Sequence, residues 1–403
     1  MARRVLISAG EASGDLYAAG LVEALRRRNP DLEFFGCAGP RMQHAGVRPI
    51  VDARSLAVVG LVEVVSHIPR IYREFRKLRA AAAAEKPELA ILTDSPDFHL
   101  RLARHLKKLR IPVIYLVAPQ VWAWRKGRLP LMRRTIDRLL CIFPFEPDFF
   151  ARAGVQCTYI GHPLTRLVKP SAAADELRRR FGVPAGSQLI ALLPGSRPGE
   201  AARHLPTLLE AVEKIRSGHA GPAPSFILAV PPGTVPPEST FRERISAASI
   251  QLLEGQTWDV MACADLCLAA SGTVTIEAGL LGTPLIAFYR VNKLTWLMGR
   301  RLVNVPFYTM VNLVAGRRIV PELIQHDLTA DRLASEALRL LADTSAREEM
   351  RRQLAGMAQK LSADDDPLEL AARLVEDYLA SGSSPAASLK RESALASRSP
   401  VGA

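Results

Sequence analysis

The stretch LCLAASGTVTIEAGLLGTPLIAFY, residues 266–289, carries the reading of the fold. Leu266–Ala270 is an apolar run of strand length, Ser271-Gly272-Thr273 a tight turn, and the next seven residues a helix former without proline. A second apolar run, Leu285–Tyr289, follows Gly282-Thr283-Pro284. Strand, turn, helix and strand in this order are the repeating unit of an open α/β domain, whose turns face ligand at the carboxyl edge of a parallel sheet. The backbone N–H groups of residues 271–273 open a helix, and a helix N-terminus suits a diphosphate. Glu277, one turn further on, can accept from ribose hydroxyls. An N-cap followed by a solvated acid is the purely structural alternative.

Working outward, the same pattern recurs along the chain. RVLIS, LEFFGCAG, LAILTD, PVIYLVAP, RLLCIFPF and CTYIG are strand-like runs in the first half, and QLIALLPGS, SFILAVP and IQLLEG precede the opening stretch in the second. Short apolar runs bounded by Gly or Pro and separated by helical stretches imply parallel sheets covered on both faces. The fold class is therefore α/β, with two Rossmann-like doubly wound domains. At 403 residues the chain also exceeds what one hydrophobic core usually serves. The Pro- and Ala-containing stretch beginning at Gly161 interrupts the alternation before a new helix near Asp175. The expected division is 1–165, 166–342, helices over 343–380, and a tail over 381–403 too poor in apolar residues to pack.

Net charge is +13, and residues 1–160 hold 26 Lys and Arg against 15 Asp and Glu, so about +11 of it lies in the first half. An aromatic content of 6% and the lack of any nucleic-acid motif argue against nucleic acid as the partner. Five scattered cysteines, mostly in apolar runs, read as buried thiols of a reducing compartment rather than a metal site. No run approaches the ~18 apolar residues of a spanning helix, and the start lacks a signal-peptide pattern. A cytoplasmic protein is expected.

Four further segments offer chemistry. IALLPGSRPGE ends a strand with Gly195, Ser196 and Arg197, whose guanidinium fork matches phosphate oxygens. LAILTDSPDFH places Asp94 at a strand's carboxyl edge, where a general base can work, and Asp97 at the next helix start, as a second candidate base or a dipole-favoured helix acid. APQVWAWRKGR sets Trp122 and Trp124 in a loop, as packing or as a wall for a sugar ring or acyl chain. His162 in IGHP either touches ligand or packs at the domain end. Residues 56–79 combine an aliphatic run (Val58, Leu61, Val64, Val65, Ile68) with Arg70, Arg73, Arg76 and Lys77. A buried helix with a basic end explains that run, and so does docking on an anionic bilayer.

Together SAGEASGDLYAAGL, AGPRMQ, TDSPDFH, APQVWAWR, FPFE, IGHPL, LLPGSR, SGTVTIEAGL and VNLVAGR resemble the lipid A disaccharide synthase family from about residue 4 to 380. The resemblance implies a GT-B glycosyltransferase: two Rossmann-like domains facing a crevice, nucleotide on the C-terminal one, acceptor on the other, and the last helices returning to the N-terminal domain. It implies transfer of diacylglucosamine from UDP-diacylglucosamine to diacylglucosamine 1-phosphate, giving a β-1,6-linked disaccharide monophosphate and UDP with inversion. Carried over by motif, Asp94 is the base, with Asp97 second. Gly195, Ser196, Arg197, Ser271, Gly272, Thr273, Glu277 and Asn312 hold the nucleotide. Gly10, Glu11, Ser13 and Gly14 face the acceptor, as do Trp122 and Trp124. No cofactor and no metal is expected, because a helix terminus and Arg197 can receive the leaving charge. The implied setting is the cytoplasmic face of a Gram-negative inner membrane, and the implied partners are an anionic bilayer surface and a second copy of the chain. A sugar-nucleotide 2-epimerase of the same fold, or a non-enzymatic basic binding protein, is the rival reading.

Overall fold

The structure, a computed structural model, describes residues 3–55, 61–236, 239–292, 296–297 and 305–380, without the side chains of 61–67. It holds two compact units. One comprises the described residues of Met1–Pro163 and of Ala363–Ala403, the other Leu164–Ser362.

The first unit is built on β1 (Arg3–Ser8), β2 (Leu32–Ala38), β3 (Arg48–Asp52), β4 (Leu89–Thr93), β5 (Val113–Leu116), β6 (Arg138–Cys141) and β7 (Cys157–Tyr159). They form one parallel sheet in the order 3-2-1-4-5-6-7. The second unit repeats the scheme with β8 (Leu189–Leu193), β9 (Ser225–Val230), β10 (Gln251–Glu254), β11 (Leu266–Ala270), β12 (Leu285–Tyr289) and β13 (Glu322–Ile324), ordered 10-9-8-11-12-13. Every residue of β4, β8 and β11 is buried, because helices cover both faces of each sheet. In both units the chain reverses its winding direction beside the first strand, between β1 and β4 and between β8 and β11. A doubly wound sheet opens its ligand site at this point, past the carboxyl ends of those strands.

Two strands escape the sequence reading, β3 and β13. Both are edge strands, one carrying Pro49 and the other only three residues long. An edge strand is exposed on one side, so its apolar signal is weak and proline is tolerated there.

The C-terminal boundary also differs from expectation. Helix Thr344–Leu361 stays with the second unit: Met357 and Leu354 lie against Gly279, and Met350 Sδ accepts from the Leu285 N–H. Only Pro367–Ala380 packs on the first unit, against helix Ala12–Arg28. There a Cβ on Gly20 would stand 2.6 Å from Leu368, so the glycine admits that side chain. Arg27–Glu369 (2.6 Å) and Arg28–Glu376 (2.5 Å) flank the contact. Such surface pairs contribute about 0.2–1 kcal/mol each, whereas burying one leucine contributes about 1.5–3 kcal/mol. Apolar burial of Leu368, Ala371, Ala372 and Val375 therefore holds this helix. Asp366 caps it, accepting from Leu368 and Glu369 N–H (2.9 and 3.2 Å).

Candidate active site

At the first switch point the chain leaves β4 through two consecutive left-handed residues, Asp94 (φ 53°) and Ser95 (φ 36°). Non-glycine residues pay for that conformation, so the surroundings must enforce it. Tyr115 on β5 donates its hydroxyl to the Asp94 carbonyl, and His99 Nδ1 lies 3.0 Å from the same oxygen. A carbonyl only accepts, so Nδ1 carries the proton, and His99 Nε2 accepts from the Ser8 hydroxyl at 2.7 Å. Burial depresses the His99 pKa to about 4, which keeps the ring neutral.

The clamp turns the Asp94 carboxylate toward the end of β1. Its oxygens accept from the Gly10 N–H (2.9 and 3.2 Å) and the Glu11 N–H (3.1 Å). Burial above all, and then the nearby Glu11 charge, raise the Asp94 pKa well above the ordinary carboxylate range, and these hydrogen bonds offset only part of the shift. A basic carboxylate at a sheet's switch point can accept a proton from substrate.

The glycines of the first turn serve that carboxylate rather than the acceptor. A Cβ on Gly14 would fall 1.7 Å from Asp94 Oδ2, and one on Gly10 2.4 Å from Ser95 Oγ. The expectation that Gly10 and Gly14 open space for a sugar is corrected accordingly: the space is filled by Asp94 and Ser95. Asp15 is buried and caps the short helix Pro40–His44 through Arg41 and Met42 N–H (3.0 and 3.1 Å). Glu11 and Ser13 are half-buried at the opening of helix Ala12–Arg28.

Asp97, the second candidate base, sits in a different environment from Asp94. It is exposed on the first helical turn, where Arg125 (2.8 and 3.0 Å) and Arg128 (2.5 Å) grip both oxygens. Trp124 lies under the same guanidiniums, 4.3 and 5.6 Å from its ring. Trp122 is a packing residue, set edge-on to Phe145 and donating its indole N–H to Glu146 (3.1 Å). Glu146 is fully buried, also accepts from Ile142 and Phe143 N–H, and has its pKa pushed up to about 7 by burial. His162 is buried between Tyr17 and Phe143.

In the second unit, helix Thr273–Leu280 starts at the switch point without a side-chain cap. Gly272 is exposed, with nothing within 4 Å of a Cβ placed there. This N-terminus is open to an anion. The Ser271 hydroxyl donates to the Tyr308 carbonyl (3.0 Å), and Glu277 sits half-buried one turn on.

The neighbouring turn, after β8, is partly closed by the protein itself. Glu200 accepts from the Ser196 N–H (3.2 Å), and a Cβ on Gly195 (φ 122°) would lie 2.3 Å from the Glu200 carboxylate. Gly195 and Ser196 thus shape the turn around Glu200, and Arg197 stands at the N-cap of the helix that follows, Pro198–Gly218. His204 anchors the turn, donating from Nδ1 to the Pro194 carbonyl (2.7 Å) and accepting from the Arg290 N–H (3.1 Å).

Asn312 does not face a nucleotide. Its side chain is fully buried, donating to Val320 O (3.0 Å) and Glu322 (2.8 Å) and accepting from Ile319 and Val320 N–H (2.7 and 3.0 Å). Glu322 also gathers Tyr308 N–H, Thr309 N–H and the Thr309 hydroxyl. The pair therefore shapes the segment whose carbonyl holds Ser271.

Residues 5–368 match the family profile described as lipid-A-disaccharide synthetase. The chain belongs to that family. A lipid-A-disaccharide synthase of Solibacter usitatus is 55% identical, the match covering 93% of this chain and 97% of the relative. That of Myxococcus xanthus is 44% identical over 89% and 93%. Membership makes the protein a glycosyltransferase of lipid A biosynthesis. Among solved structures, CalG4, the calicheamicin glycosyltransferase, aligns with a TM-score of 0.55 at 16% identity, covering 94% of this chain and 98% of that one. UDP-GlcNAc 2-epimerase from Neisseria meningitidis aligns with 0.61 at 13% identity, covering 94% and 100%. At such identities the likeness establishes the GT-B fold alone, and it does not favour the epimerase over the synthase.

Sequence reasoning missed His99, Tyr115, Glu146, Glu200, His204 and Glu322. All but Glu322 lie in or beside a quoted motif or strand, but the role of each rests on a partner elsewhere in the chain.

Proposed function

We propose that the synthase reaction is divided between the two switch points, with Asp94 as general base for the acceptor and the Gly272–Thr273 helix terminus with Arg197 as the diphosphate site. Asp94 takes the proton from the 6-hydroxyl of diacylglucosamine 1-phosphate as that oxygen attacks the anomeric carbon of UDP-diacylglucosamine. The bond from that carbon to the diphosphate breaks on the opposite side, so the new β-1,6 linkage is inverted and UDP leaves. The uncapped helix N-terminus and Arg197 receive the charge that develops on the diphosphate. Glu277 accepts from the ribose. The observation that carries this reading is the Asp94 carboxylate, 12% exposed, held by Gly10 and Glu11 N–H and pushed up in pKa.

The decisive test is UDP release by purified protein given both lipids in detergent. Release that requires both lipids supports the reading. Release without acceptor, or none at all, overturns it.

We also infer that helix Leu61–Glu85 rests on an anionic bilayer. Ile68 and Tyr72 are 52% and 57% exposed, and Arg70, Arg73, Arg76 and Lys77 are exposed around them. Glu74 pairs with Arg73 and Lys77 (3.4 and 2.9 Å), and Arg70 lies near enough to Asp52 to help lower its pKa. Val58 and the side chains of Leu61, Val64 and Val65 lie outside the described residues. Sedimentation with anionic vesicles that weakens as salt rises is expected, and salt-independent binding would contradict the electrostatic part. Among the described residues no helix is long and apolar enough to cross a membrane.

A further inference from the structure

The loop after β5 carries an arrangement that the reaction as described leaves unused. Arg125, Lys126 and Arg128 follow Trp124 within four residues, and Arg125 holds a left-handed backbone (φ 57°). Asp97 grips both guanidiniums from one side, and the face of Trp124 supports them from another. A guanidinium carries five N–H donors, and the bonds to Asp97 use only Nη1 of Arg125 and Nη2 of Arg128. Three cations against one carboxylate leave two positive charges in excess.

Stability does not explain the cluster. Exposed pairs contribute little, and Asp97 is 67% exposed at its side chain. What the cluster provides is a pair of oriented forks with surplus charge. A phosphate monoester, with about −1.5 to −2 charge near neutrality and three acceptor oxygens, matches it in charge and geometry.

We propose that Arg125 and Arg128, gathered on Asp97, form with the neighbouring Lys126 the subsite for the phosphate monoester of the acceptor sugar. The inference rests on the reading of Asp94 as the acceptor's base. β4 and β5 are hydrogen-bonded neighbours (Ala90–Val113 through Thr93–Leu116), so Asp94 and the Trp124 loop leave the sheet at the same edge on adjacent strands. Asp97, which anchors the loop, begins the helix that directly follows Asp94 and Ser95. On the acceptor, C1 and C5, the carbon that bears C6, flank the ring oxygen. A base reading the 6-hydroxyl and a fork reading the 1-phosphate therefore address one edge of one sugar. Asp97 becomes the positioning residue of this subsite.

The same phosphate chemistry is present on an anionic bilayer, so the test separates the two sources. The double variant Arg125→Gln/Arg128→Gln is assayed in detergent with a short-chain acceptor bearing the 1-phosphate and with its 1-O-methyl analogue, and is sedimented with phosphatidylglycerol vesicles. The expected result is an acceptor KM raised about 10-fold or more for the phosphorylated sugar. Little change is expected for the methyl analogue, the donor KM or vesicle binding. If the variant still discriminates the two acceptors as the wild type does, or loses vesicle binding with acceptor KM unchanged, the proposal is overturned. Should the Gln variant fail to fold, Arg125→Lys/Arg128→Lys keeps charge and removes the fork, and loss of discrimination is again expected. Failure of the function itself looks different, because wild type would then turn over neither acceptor.

Discussion

Asp94→Asn lowers turnover by about 10²–10⁴-fold, the usual contribution of a positioned general base, while UDP binding to the second unit is unchanged. The pH profile gives the second signature. A base works only when ionised, so wild-type activity falls as pH drops through the Asp94 pKa. Burial and Glu11 raise that pKa, so the acid limb lies above the range of an ordinary carboxylate. In the Asn variant the residual activity lacks this limb.

Stability separates lost chemistry from lost fold. A carboxyl group whose pKa is raised by folding binds its proton more tightly in the folded state. Its ionisation therefore costs stability as pH rises between the unfolded and folded pKa values. Asn removes that cost but puts an amide N–H₂ opposite the N–H of Gly10 or Glu11, and the two effects oppose each other. A melting temperature within a few degrees of wild type is expected. A variant that keeps full turnover would transfer the base role elsewhere, and one that unfolds would leave Tyr115→Phe as the probe. That substitution removes one of the two donors on the Asp94 carbonyl. A fall in kcat with both KM values intact is expected.

Gly14→Ala gives the second large effect, without touching a functional group. Alanine at a helix interior normally gains about 1 kcal/mol over glycine. Here the added methyl would lie 1.7 Å from Asp94 Oδ2 and 2.8 Å from its Cγ. The atoms in the way are the far end of a side chain, which rotates aside more cheaply than backbone moves. The fold is expected to survive, with a melting temperature near that of wild type, while the carboxylate leaves the Gly10 and Glu11 N–H groups. Turnover then drops toward the level of Asp94→Asn. Unaltered kinetics would show that the seat of Asp94 against Gly10 and Glu11 is not its working position.

Both predictions concern residues visible in the sequence, yet only the placement of one was legible there. Asp94 stands out because a strand's carboxyl end and a following proline place it, and strand ends are set by local apolar runs. Gly14 suggested room for substrate, and only the packing of β1 against β4 revealed that the room belongs to Asp94. Asn312 and Asp97 are partnered otherwise than their motifs suggested, for a related reason. A motif specifies that a polar side chain is required, but its partners, Glu322 and Val320 for one, Arg125 and Arg128 for the other, come from other segments.

The sequence by itself determined the α/β class, the two parallel sheets and the turns at their carboxyl edges. Strand period, glycine turns and helix N-termini are properties of a few consecutive residues, and the alternation repeats them often enough to be unambiguous. Tertiary structure decided the weak edge strands β3 and β13, the helix that crosses back at Pro367, and the buried partners that hold Asp94 and Ser271. Those depend on which distant residues meet, and on a charge or hydrogen bond having no water to replace it once they do.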